Sequence, residues 1–223
     1  MAERIALIGA GIMGQAIGSR LLACGHTLSV FDIDTARVAQ LVERGAKAAA
    51  SPALAAAPSA SVILSLNHAD IVNAAVFGKD GIASAADESK LLIDMSSIDP
   101  AATAEMSARL KTQTGMAWVD CPLSGGVPGA LAGTLTIMAG GERHDFERAR
   151  TVTKDLATNY SLMGGSGAGQ TTKLVNQLFC ALAFQAVVEA IKLAEAGGVD
   201  PARIPAALAG GRRGGYGASP GPG

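Results

Sequence analysis

The segment that most constrains this chain is a glycine turn close to its start, Gly9-Ala10-Gly11-Ile12-Met13-Gly14, which follows the apolar run Ile5 to Ile8 directly. Such a run, closed by three glycines in six positions, reads as strand, tight turn, helix. Ile12, Met13, Ala16, Ile17, Leu21 and Leu22 then recur at helical period as far as Cys24. Glycine serves three needs in such a place: the turn itself, close approach of backbone to a pyrophosphate, and close packing of helix on strand. The amide end of the helix then faces the phosphates. Asp32 follows at about 20 residues, at the end of the second strand, and completes the pattern of a dinucleotide site. Its carboxylate suits the adenosine ribose hydroxyls and repels a 2′-phosphate, which favours NAD, with NADP as the alternative. Arg37, a few residues on, would favour NADP if it faced the site, and is read as part of a solvated helix face. A glycine turn in some other α/β protein is the bland alternative.

The remaining pattern fits such a fold. Short β-rich runs at Ile5 to Ile8, Leu28 to Phe31, Val62 to Leu66, Leu91 to Met95, Ala117 to Asp120 and Thr134 to Met138 alternate with longer Ala-rich stretches. That order builds a doubly wound parallel sheet with helices on both faces, an α/β fold of Rossmann type. One intervening helix is expected over Asp34 to Arg44, stopped by Gly45. The dense loop Gly164-Gly165-Ser166-Gly167-Ala168-Gly169 marks a junction, so that residues 1–165 form the dinucleotide-binding domain and 166–209 begin an all-α domain. In the second part Gln170 to Ala196 is one long helix, apolar on most of its circumference, which must be buried against neighbours. Pro201 to Ala209 can start another. Residues 210–223, half glycine, are expected to be disordered.

Composition sets the outer limits. At 223 residues the chain is one full domain and a fragment, and with 49% hydrophobic against 17% charged residues it can bury a sizeable core. Eighteen Lys and Arg balance nineteen Asp and Glu, giving a net charge of −1, without the basic excess of a nucleic-acid binder. Cys24, Cys121 and Cys180 are too far apart for a zinc site or disulfide framework, and His26, His68 and His144 share no metal spacing. Reduced thiols in a cytoplasm are expected. The first strand leaves no room for a leader, and no run approaches the ~20 uninterrupted apolar residues of a membrane helix, so no membrane partner is expected. Met95, Met106, Met116, Met138 and Trp118 read as core.

Two further segments carry chemistry. Asp120-Cys121-Pro122-Leu123-Ser124-Gly125-Gly126 follows a strand, at the sheet edge where open α/β folds bind ligands. The amides of Gly125 and Gly126 and the Ser124 hydroxyl would suit a carboxylate, although an ordinary turn has the same composition. Lys173 shares a helix face with Gln170, Asn176 and Gln177, within about 60° at ~100° per residue. Such a stripe faces either solvent, the commoner case for lysine, or a cavity in which the amine can act as a general acid or base.

Taken together, GAGIMG at 9–14, DMSSIDP at 94–100, DCPLSGGVPGALAGTLTIMAGG at 120–141 and GAGQTTKLVNQ at 167–177 resemble the β-hydroxyacid dehydrogenase family, which includes 3-hydroxyisobutyrate dehydrogenase and tartronate semialdehyde reductase. The resemblance covers Met1 to about Gly211. It implies NAD(P)-dependent hydride transfer on a small hydroxy acid, with Lys173 as the catalytic lysine. Ser124, Gly125 and Gly126 would hold the substrate carboxylate, with Asn176 and Gln177 as further substrate contacts. Leu66, Asn67 and Ser97 would join the glycine turn and Asp32 on the cofactor, and no metal is implied. Gln177 is similar to tartronate semialdehyde reductases, where many 3-hydroxyisobutyrate enzymes have Asn. Complete members are homo-oligomers that continue for a further set of helices, whereas this sequence turns at Arg212 into glycine and proline, as a truncated or frameshifted end would. The face of the long helix that those helices cover would then be exposed. A non-catalytic dinucleotide-binding module and an inactive truncated product are the other two readings.

Overall fold

The computed structural model describes residues 3–209; the expected disorder of the glycine-rich tail lies outside the described residues. Strand β1 (Arg4–Ile8) leads through the glycine turn into α1 (Ile12–Ala23) and β2 (Thr27–Phe31). Helix α2 (Thr35–Val42) is capped by the Asp34 carboxylate, which accepts from the Ala36 amide. The short β3 (Lys47–Ala48) and α3 (Pro52–Ala56) precede β4 (Ser61–Leu64) and α4 (Ala69–Phe77). Next come β5 (Leu91–Asp94), α5 (Pro100–Thr114) and β6 (Ala117–Asp120). Helix α5 shows how local sequence sets an element. Asp99 caps the Ala102 amide, Pro100 opens the first turn, and Gly115 closes it at φ 78°.

These strands lie in the order β3-β2-β1-β4-β5-β6, all parallel. Successive residues of β1 feed opposite layers: Ile5 and Leu7 pack with Ile17, Leu21 and Leu28, whereas Ala6 and Ile8 pack with Val62, Leu64, Val72 and Leu92. Burial on both faces explains why these strands read as unbroken apolar runs. The four methionines expected inside are buried, and so is Trp118.

Beyond β6 the sheet departs from the parallel reading. The two-residue β7 (Leu123–Ser124) and β8 (Leu135–Gly140) pair antiparallel around α6 (Gly126–Ala132), and β8 meets β6 antiparallel at Asp120 and Gly140. The stretch joining β7 to β8 is too short for the crossover of a dozen or more residues that a parallel return requires. Helix α7 (Arg143–Thr153) then supplies such a crossover, and β9 (Ala157–Gly164) runs parallel to β8. β3, β7 and β9 lie outside the strands expected from sequence; the mostly exposed, mixed-polarity ATNYSLMG of β9 lacks their apolar signature.

Helix α8 (Ala168–Ala196) begins two residues before its expected start, and a 3-10 turn at Pro201–Arg203 leads into α9 (Ile204–Leu208). The described residues divide into two compact units at Leu174. Beyond its first turns the long helix is mostly exposed rather than buried as its apolar circumference requires, which is the outcome expected where covering helices are missing: Leu178, Leu182, Val187 and Leu193 are exposed, Phe179 is 67% exposed, and Ala194 is buried. By length and composition α8 is long and apolar enough to cross a membrane, against the expectation that no run approaches such a helix.

Candidate active site: a dinucleotide cleft and a lysine at the sheet edge

Between β1 and β4 the strand order reverses, and the two chain paths leave the sheet on opposite sides, opening a crevice beyond the carboxyl ends. A cavity of about 330 Å³ lies there, lined by Gly9, Gly11, Asp32, Arg37, Leu66 and Asn67 among others. Gly9 has φ +96°, and a Cβ on it would lie 2.8 Å from the Leu66 side chain and nearer still to the Ser65 carbonyl. Over Gly11 the space is open, the nearest atom to an added Cβ being Arg37 Nη1 at 3.9 Å. The turn is therefore compressed on its sheet side and free on its cavity side, the arrangement a pyrophosphate needs.

The Asp32 carboxylate is fixed by two amides, Ala10 N donating to Oδ2 at 2.6 Å and Asp34 N to Oδ1 at 2.8 Å. Each oxygen retains further acceptor capacity, and Asp32 lines the cavity. Ala10 and Gly14 are buried, Met13 is half-buried and Ile12 is exposed; these four shape the turn without lining the cavity. Ser97 is exposed and does not line it either. Arg37 is exposed on α2, as a solvated helix face requires, and pairs with Asp34 at 3.0 Å, while its side chain also borders the cavity. Ile33, Pro52, Ile71 and Lys79 also line the cavity, and no pattern in the sequence singles them out. Apolar residues after a strand and a lone lysine carry no spacing signal.

The second cluster lies at the carboxyl edge of β6. Ser124 ends β7, and Gly125 (φ +120°) and Gly126 (φ +60°) turn the chain into α6, conformations that side chains with a Cβ rarely adopt. Lys173 is half-buried, and its Nζ donates to the Leu123 carbonyl at 2.7 Å, one residue before Ser124. The structure thus brings Lys173 to the serine–glycine segment. Asn176, half-buried, and Gln177, exposed, follow one turn further along α8. Gln170 does not share the stripe's expected cavity or solvent environment. It is 1% exposed, donating from Nε2 to Ser96 O at 2.9 Å and accepting from Ile98 N at 3.2 Å.

Two buried carboxylates end adjacent strands here, Asp94 and Asp120, which are register partners. Asp120 accepts from Gly167 N at 2.8 Å and Gln170 N at 3.0 Å, at the start of α8, while burial pushes its pKa up. Asp94 accepts from Ser96 N at 3.0 Å, and burial raises its pKa to about 6. Cys121 faces the Tyr160 hydroxyl at 3.2 Å, and burial raises both groups far above their ordinary range, so the thiol is no nucleophile. Among the described residues no group of three His, Cys, Asp or Glu is placed to hold a metal.

The fold and the cleft define a dinucleotide-binding protein with a lysine at the sheet edge. The family model described as the NAD-binding domain of 6-phosphogluconate dehydrogenase matches residues 4–165. A second, described as the NAD-binding domain of NADP-dependent 3-hydroxyisobutyrate dehydrogenase, matches 167–216. The chain is 36% identical to 2-hydroxy-3-oxopropionate reductase of Escherichia coli over 93% of its own length and 70% of the relative's. It is 38% identical to 3-hydroxyisobutyrate dehydrogenase of Pseudomonas aeruginosa over 89% of its length and 66% of the relative's. The structure of Mycobacterium tuberculosis 3-hydroxyisobutyrate dehydrogenase with L-serine superposes with a TM-score of 0.88 at 31% identity, covering all of this chain and 76% of that one. The chain belongs to the NAD(P)-dependent β-hydroxyacid dehydrogenase family, and spans about two thirds to three quarters of the length of these relatives.

Proposed function

We propose that this chain interconverts a small β-hydroxy acid and its semialdehyde or keto acid, with Lys173 as general acid and base. The observation that carries the reading is the 2.7 Å hydrogen bond from Lys173 Nζ to Leu123 O, which holds the amine beside the Ser124-Gly125-Gly126 turn. In this reading residues 1–165 bind the cofactor, and the segment from 166 onward brings the lysine.

The residues present fit a dinucleotide: the glycine turn leaves the cavity side of Gly11 open, and the fixed Asp32 carboxylate offers acceptors for ribose hydroxyls. Asp32 favours NAD; Arg37 in the cavity wall is the feature that would admit NADP. The nicotinamide, when bound, takes or gives the hydride. The chain's own residues do the rest. Ser124, Gly125 and Gly126 anchor the substrate carboxylate, which fixes the carbinol carbon for reaction, and Asn176 and Gln177 contact the substrate along the same helix. In oxidation the neutral Lys173 amine takes the hydroxyl proton as the carbon–hydrogen bond breaks; in reduction the ammonium returns it to the carbonyl oxygen.

Lys173→Ala tests this. We expect oxidation of 3-hydroxyisobutyrate and reduction of tartronate semialdehyde by the wild type, at least a hundredfold loss of kcat in the variant, and an NAD Kd within threefold of wild type. Wild-type turnover in the folded variant would remove Lys173 from the mechanism.

A further inference from the structure

The start of α8 is held more tightly than helix capping requires. Asp120 satisfies the amides of Gly167 and Gln170, which is the service an N-cap side chain performs. The carboxylate sits where no side chain fits around it. A Cβ on Gly140 would lie 2.6 Å from Oδ1, and one on Gly169 2.7 Å from Oδ2. Gln170 adds a second tie that capping does not need, since its amide side chain bridges Ser96 O and Ile98 N in the loop leaving β5. Ser96 in turn accepts from Leu66 N through its hydroxyl at 3.1 Å, and Leu66 lines the dinucleotide cavity. Lys173 lies three residues beyond Gln170, about 4.5 Å along the helix. One buried side chain thus joins the loop behind the cofactor cavity to the turn that carries the amine.

We propose that Gln170, backed by Asp120, is a positioning residue, which sets where the Lys173 amine stands relative to the cofactor cleft by tying the first turn of α8 to the Ser96–Ile98 loop. Gln170 touches no reacting atom in this role. The inference rests on the reading of Lys173 as the proton-transfer group.

The test compares the full chain with Gln170→Leu, which keeps the approximate volume and removes both side-chain hydrogen bonds, and with Gln170→Glu. Three quantities are measured: thermal melting, the rate at which acetic anhydride labels Lys173 relative to the exposed Lys111 (read by peptide mass spectrometry), and steady-state kcat and KM. We expect Gln170→Leu to label Lys173 at least threefold faster, as its bond to Leu123 O loosens, and to lose tenfold or more in kcat with KM for NAD within threefold. Gln170→Glu can make both bonds only while its carboxyl is protonated. Its kcat should therefore approach wild type at pH 6 and fall away by pH 8.5, relative to wild type at each pH. If Gln170→Leu does not fold, the pH response of Gln170→Glu carries the test.

Unchanged Lys173 labelling and kcat within twofold of wild type, in a folded variant, would overturn the proposal, as would a Gln170→Glu to wild-type kcat ratio that is flat with pH. If the wild type turns over no hydroxy acid, the functional reading fails by itself. Labelling still decides the clamp in that case: faster labelling in the variants upholds it, and equal labelling removes it.

Discussion

Asp94 gives the sharpest prediction about stability. It ends β5 fully buried, with Oδ1 taking the Ser96 amide and Oδ2 without a hydrogen-bond partner among the described residues. Burial is the main reason its pKa stands at about 6 rather than 3.8, with the Asp120 charge adding to it. A carboxyl that holds its proton more tightly folded than unfolded stabilises the fold fully below the unfolded pKa, and that contribution is lost as pH rises through the folded one. The rise from 3.8 to about 6, at ~1.36 kcal/mol per pH unit, corresponds to about 3 kcal/mol of wild-type stability in all, of which about 2 kcal/mol is lost between pH 4 and neutrality. Asp94→Asn cannot ionise yet can still accept from Ser96 N. The stability difference, variant minus wild type, should therefore rise by about 2 kcal/mol from pH 4 to pH 7.5, whatever constant offset the new amide introduces. Urea unfolding at four pH values, followed by the fluorescence of the single, buried Trp118, measures it. Parallel stability–pH curves for the two proteins would refute the argument.

Three other substitutions probe separate parts of the fold. Lys90 is buried and donates to Ala56, Ala57 and Ser59 carbonyls at 3.2, 3.1 and 2.8 Å, at the exit of α3, so Lys90→Met should cost about 2–4 kcal/mol in denaturant unfolding. Gly9→Ala forces a Cβ at φ +96° into Ser65 and Leu66, and should weaken NAD binding at least tenfold by calorimetric titration. His26 Nδ1 accepts from Glu3 N, so its Nε2 donates to Asp155 at 3.0 Å, a bond that holds the Asp155 pKa below its ordinary 3.8. That support exists above the ordinary pKa and is lost as pH falls through the lowered one; Asp155→Asn should lower the melting temperature at pH 7 and lose that effect in strong acid.

Elements with a strong local signal were readable from sequence, and those set by tertiary context were not. β1, α1 and β2 with the glycine turn between them announce themselves through burial on both sheet faces and through backbone geometry that only glycine meets easily. β9 could not be read so, because an exposed edge needs no continuous apolar run. At the site, Lys173 and Ser124 to Gly126 stood out as a polar side chain on an apolar helix and a glycine cluster after a strand. Gln170 was seen as one more member of the polar stripe; periodicity gives the face a residue occupies, not whether that face meets solvent or a buried backbone. Arg37 is the converse case, a helix-surface arginine by pattern that is exposed as expected and also borders the cavity.

The two carboxylates at the ends of β5 and β6 bear on how this site spends stability. Asp120 is compensated, since two amides at the start of a long helix meet its charge. Asp94 is not, as one of its oxygens lacks a partner among the described residues and its ionisation opposes folding by about 3 kcal/mol at neutral pH. An apolar residue would be the cheaper strand end, but it would not hold the Ser96 amide. Ser96 is where two ties converge, one from Leu66 in the cofactor cavity and one from Gln170 in the helix that carries Lys173. Holding Ser96 in place serves both ends of the proposed reaction, which accounts for a costly buried charge at this strand end. Geometry and charge separate by substitution: Asp94→Asn keeps the Ser96 bond, removes the loss of stability with rising pH, and should leave kcat within threefold of wild type. Asp94→Leu abolishes that bond, and should lose at least tenfold in kcat even where its melting temperature rises.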